Sequence, residues 1–66
     1  MGKSGLYDIT LVFIKRLDAS ILVKEFPDSE DAFTLPLSQI EYVEAKKPGY
    51  VEVTMPEWLA QEKELI

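Results

Sequence analysis

The stretch "LYDITLVFIKR", residues 6–16, alternates with a period of two. Tyr7, Ile9, Leu11 and Phe13 fall on one face and Asp8, Thr10, Val12, Ile14 and Arg16 on the other, the pattern of a strand with one buried face. Val12 and Ile14 make its far half apolar on both sides, as expected of a strongly bent strand shared between two layers. Three further segments repeat the alternation. "ASILVKEF" sets Ile21 and Val23 against Leu22 and Phe26, "FTLPL" carries Phe33, Leu35 and Leu37, and "YVEVTM" closes the series. Proline has no N–H for a ladder, so the third segment sits at a sheet edge or ends at Pro36.

The connections are specified by turn chemistry. Leu17 and Asp18 link the first two strands, and "PDSEDA", residues 27–32, reads as a hairpin loop. "SQIE" has the Ser-x-x-Glu capping spacing, so a single 3₁₀ turn or kink is expected at Ser38 to Ile40, running into a strand through Ala45. In "KKPGY", Pro48 fixes the first central φ and Gly49 accepts a positive one, which predicts a type II turn.

The chain closes on "TMPEWLAQEKELI", where the period changes to that of a helix over 56–64. Thr54 and Glu57 have capping-box spacing and Pro56 falls in the first turn. Its apolar stripe is Trp58, Leu59, Leu65 and Ile66. An isolated helix of about ten residues is marginal in water and must dock. Burial of Trp58 would contribute at most about 4–6 kcal/mol, which favours a lid over the core; the other reading is a handle for a partner.

Together these segments predict a mainly β chain: a five-stranded antiparallel bent sheet, or a small SH3-like or OB-like barrel, with one short C-terminal helix. Sixty-six residues allow one domain, expected over 6–66 behind a flexible lead-in at 1–5. A core of this size contributes only about 3–5 kcal/mol of net stability. With no Cys and no His there is no disulfide or common zinc site to add to it, which leaves efficient packing, at 47% apolar residues, or self-association.

Charge narrows the partner class. Twelve acidic residues against seven basic give −5, which repels a phosphate backbone; the charge reads either as a solubility device or as a ligand for a protein partner with a basic surface, such as a nucleic-acid-directed enzyme. The residues expected to meet it are Asp28, Glu30 and Asp31 at the loop tip with Glu41, Glu44 and Glu52. The alternative is a small nucleic-acid-binding barrel using Tyr42, Lys46, Lys47 and Tyr50, with Tyr42 and Tyr50 exposed beside the Pro-Gly turn. Serine or cysteine nucleophiles lack a histidine base, so no enzymatic activity and no cofactor are expected. "DSEDA" lacks the glycine and distal glutamate of a calcium loop and reads as a solvated tip. No apolar run reaches the ~20 residues of a membrane span, and "MGKSG" is not followed by a signal-peptide core, so a cytoplasmic location is expected.

The phrases "SILVKEF", "FTLPLSQIE" and "VTMPEWLAQEKELI" resemble a type of short protein of bacteriophages and prophages. Such proteins share a Leu-Pro-x-Ser-Gln-Ile step and a Pro-x-Trp-Leu-Ala terminal helix. The matching positions are Leu35, Pro36, Ser38, Gln39, Ile40, Pro56, Trp58, Leu59 and Ala60, with Phe33 where tryptophan is expected. The resemblance implies a genomic setting, that of an accessory module, and no reaction.

Overall fold

The computed structural model describes residues 5–66. It contains β1 (Leu6–Arg16), β2 (Ser20–Lys24), β3 (Ala32–Pro36), a 3₁₀ turn (Leu37–Gln39), β4 (Glu41–Glu44), β5 (Tyr50–Pro56) and α1 (Glu57–Glu62). The strands form one antiparallel sheet in the order β3-β2-β1-β5-β4. Among the described residues the sheet does not close into a barrel, and β3 and β4 are its free edges. Of the expected lead-in, residues 1–4 lie outside the described residues. Gly5 is tied down: at φ 93° it accepts a 2.8 Å hydrogen bond from the Glu57 amide, extending the β1–β5 ladder to the start of α1.

The alternation in β1 sets the two faces. Leu11 is fully buried, with Tyr7, Ile9 and Phe13 packed around the core on the same side. The register breaks between Phe13 and Lys15, so Ile14 is the extra residue of a β-bulge. Beyond it the phase flips: Arg16 lies opposite the buried Ile21 and Lys15 opposite Leu22. The placement of Arg16 on the outer face with Asp8 and Thr10 is thereby corrected, since one inserted residue moves every later side chain across the sheet. The bulge also supplies the bend that the two-sided apolar stretch called for.

The concave face carries Ile21, Val23, Leu35, Val51, Val53 and Met55, and is covered by Ile40, Leu59 and Ala60. Bending brings Phe13 of β1 and Tyr42 of β4 into a stack at 6.3 Å across the intervening β5. β3 is an edge strand ending at Pro36, as the missing N–H requires. At the other hairpin the Tyr50 amide donates to the Lys47 carbonyl at 3.2 Å with Gly49 at φ 87°, a type II geometry.

Both expected side-chain caps are absent. The cap of the 3₁₀ turn is Pro36 and that of α1 is Pro56, neither with a side-chain bond. Thr54 belongs to β5, and its hydroxyl donates instead to Asp8 Oδ1 at 2.7 Å. The first helical amide is satisfied by Gly5, so no side chain is needed there.

α1 is also shorter than expected, ending at Glu62. The Leu65 amide donates to the Ala60 carbonyl and the Glu64 amide to the Gln61 carbonyl, with Glu64 at φ 62°. These paired bonds are a Schellman stop, and Leu65 packs against the core as its apolar component. The helix covers the core through Leu59 and Ala60, while Trp58 remains 54% exposed. The lid reading therefore holds for the helix but not for its tryptophan.

Candidate functional site

The outer face of β1, β5 and β4 is assembled by register. Thr54 lies between Asp8 on β1 and Glu41 on β4, and Glu52 lies between Thr10 and Val43 in the next row. With strands about 4.8 Å apart, Asp8 and Glu41 stand two strands apart on either side of Thr54, and Glu52 lies in the next row between them. All three carboxylates are exposed, as is Val43 at 61%. The 2.7 Å bond from Thr54 fixes the Asp8 carboxylate on this surface. Between β1 and β5 the face is hollowed into a shallow depression of about 420 Å³ lined by Asp8, Thr10, Glu52 and Thr54. The same face turns basic toward the other side, with Lys24 opposite Val12 and Lys15 opposite Leu22.

The six acids expected to act together do not form one surface. Glu41 and Glu52 share the outer face, whereas Glu44 has the phase of Tyr42 and lines the cleft on the concave side. Asp28, Glu30 and Asp31 lie in the β2–β3 connection, on the other side of β1 from β5 and β4. There Glu30 and Asp31 border a second depression with Glu25, Glu64 and Lys63, while the Lys24 ammonium donates to the Ser29 carbonyl at 3.3 Å.

The four residues of the nucleic-acid alternative do come together. Tyr42, Lys46, Lys47 and Tyr50 line one open cleft of about 540 Å³ with Phe13 and Glu44. The two tyrosines are half-buried rather than exposed, because each ring has a partner. Tyr42 stacks on Phe13, and the Lys47 ammonium sits 4.7 Å above the Tyr50 ring.

Asp8 and Val43 are the site residues that sequence reasoning missed. Asp8 shows the right phase in β1, but its place beside Glu52 and Glu41 depends on β1 pairing with β5, a contact between chain ends. No helix among the described residues is long and apolar enough to cross a membrane. No protein-family model, curated protein or solved structure matches the chain.

Proposed function

We propose that the chain is a non-enzymatic protein-binding module, of the phage or mobile-element kind that its sequence phrases resemble. It presents the Asp8, Glu41 and Glu52 face to a basic partner surface. The observation carrying this reading is the placement of those three exposed carboxylates about Thr54 on one sheet face, with the exposed Val43 beside Glu41 and Glu52, in a chain with net charge −5. Clustered charge of one sign steers association with a complementary surface, and an apolar contact such as Val43 at its border adds affinity once water is excluded. The basic groove of a nucleic-acid-directed enzyme is a surface of that chemistry, which makes inhibition by occupancy the sharper form of the proposal.

The test is paired affinity capture from nuclease-treated lysate of the native host. One bait is the tagged wild-type chain and the other carries Asp8→Lys, Glu41→Lys and Glu52→Lys. The reading expects a stoichiometric protein on the first bait that is released by salt and missing from the second. Equal recovery on both baits would refute it, provided both give the same circular dichroism spectrum.

A second reading has a specific observation in its favour, the gathering of Tyr42, Lys46, Lys47 and Tyr50 in one cleft. Stacking platforms of this composition hold single-stranded nucleic acid. Here, however, the Tyr42 face is taken by Phe13, Lys47 by Tyr50, and Glu44 adds a repelling charge. This reading expects a gel shift with single-stranded oligonucleotide that weakens steeply with salt, and no shift at low salt would remove it.

A further inference from the structure

We infer that the free edge of β4 binds an extended peptide segment by strand addition, and that the segment carries basic residues on either side of two apolar ones. The inference deepens the proposed function and rests on it, since it names the chemistry of the partner at the border of the acidic face.

The backbone pattern of the edge follows from the ladders. The Ala45 amide donates to the Tyr50 carbonyl at 3.0 Å, and these residues stand directly opposite when the β4–β5 register is continued by one step. Antiparallel ladders alternate, so Val43 and Glu41 also turn their backbone groups toward β5. Tyr42 and Glu44 therefore turn theirs away, each offering one N–H and one C=O to the open side of the sheet. The β1–β5 ladder agrees: Phe13 donates to Gly49 and Glu57 to Gly5, which leaves the even-numbered residues of β5 to pair with β4.

The other edge is guarded. The Leu37 amide donates to Ala19, so by the same alternation Ala32, Thr34 and Pro36 face outward along β3, and Pro36 has no N–H to offer. β4 contains neither proline nor lysine, the residues that usually blunt an edge. Its protection is negative charge, and that charge selects the partner.

An incoming antiparallel strand sets one residue opposite each of Glu44, Val43, Tyr42 and Glu41. Basic side chains are favoured opposite the two glutamates, because unlike charges stabilise a cross-strand pair. Apolar side chains are favoured opposite Val43, which is 61% exposed, and Tyr42, whose ring borders the cleft. A second copy of this chain does not meet these requirements. Symmetric β4–β4 pairing must join residues of one phase, about Tyr42 or about Val43, and in either register Glu41 and Glu44 of each copy lie opposite uncharged residues of the other, because β4 has no basic side chain.

The experiment is a heteronuclear NMR titration of the full chain with a capped hexapeptide, Thr-Arg-Val-Tyr-Arg-Thr, and its control Thr-Glu-Val-Tyr-Glu-Thr. The expected result is that the Tyr42 and Glu44 amides shift and exchange more slowly with solvent in the presence of the first peptide. The control should bind at least about tenfold more weakly, as like charges would then face each other across the ladder. Glu44→Pro removes an outward N–H without touching the β5 ladder, so it should abolish binding. Glu44→Gln, which keeps the N–H, should only weaken it.

Shifts confined to Asp8, Thr10 and Glu52 would overturn strand addition while leaving the acidic face as the binding surface. No shift with either peptide would also overturn it, and the paired capture above would still decide the broader reading on its own. Protection of Tyr42 and Glu44 in the free chain, rising with its concentration, would show self-pairing and likewise overturn the inference. If Glu44→Pro loses the native spectrum, the wild-type amide protection together with the Glu44→Gln affinity decides.

Discussion

At the level of single residues, Gly5, Gly49 and Glu64 carry positive φ among the described residues, the last two for different reasons. Gly49 is where turn chemistry requires it, and the sequence "KKPGY" announced that turn. Glu64 occupies the same left-handed region at the helix stop, with a side chain that makes the conformation costly. Glu64→Gly should therefore stabilise the fold by about 0.5–1 kcal/mol, seen as a melting temperature about 2–8 °C higher. Gly49→Ala should act in the opposite direction, costing about 1–2 kcal/mol in denaturant unfolding. Gly49→Ala meets no steric obstacle, because a Cβ there would have open space, so the backbone alone sets that cost. Thr54 shows where residue-level reading falls short. Its spacing to Glu57 suits a cap, yet a strand neighbour 46 positions away takes its hydroxyl, and no local pattern records that.

Elements were readable where their period ran long enough to fix a face. Eleven residues of alternation placed β1, and Tyr7, Ile9, Leu11 and Phe13 do face the core. One bulge at Ile14 then reversed the remainder, because an inserted residue leaves no compositional trace. The six residues of α1 make fewer than two turns, too few for the stripe to distinguish Trp58 from Leu59 as the anchor. The structure makes that distinction, with Leu59 at 3% exposure and Trp58 at 54%. Leu59→Ala should cost about 2–5 kcal/mol, enough to unfold much of a domain this small. Trp58→Ala should fall within about 1 kcal/mol of wild type when both variants are unfolded by urea titration, as an exposed substitution does. The reverse ranking would mean that the helix docks through its tryptophan.

For the molecule as a whole, the strand order decides which charges can act together. Sequence identified Glu41, Glu44 and Glu52 as surface acids, but only the pairing of β5 between β1 and β4 puts Asp8 with two of them and turns Glu44 to the other side. The loop acids Asp28, Glu30 and Asp31 belong to the β2–β3 connection, so their reversal to lysine should leave partner binding within about threefold of wild type, the remaining effect being long-range and screened by salt. Pairings between distant segments carry no local signature, which is why the fold class could be read from the chain and the composition of the acidic face could not. The most direct measurement of that face is an amide chemical-shift map of the labelled chain against the captured partner. The account predicts perturbations centred on Asp8, Thr10, Glu41, Val43 and Glu52. A footprint centred on residues 28–31, or on Lys46, Lys47 and Tyr50, would contradict it.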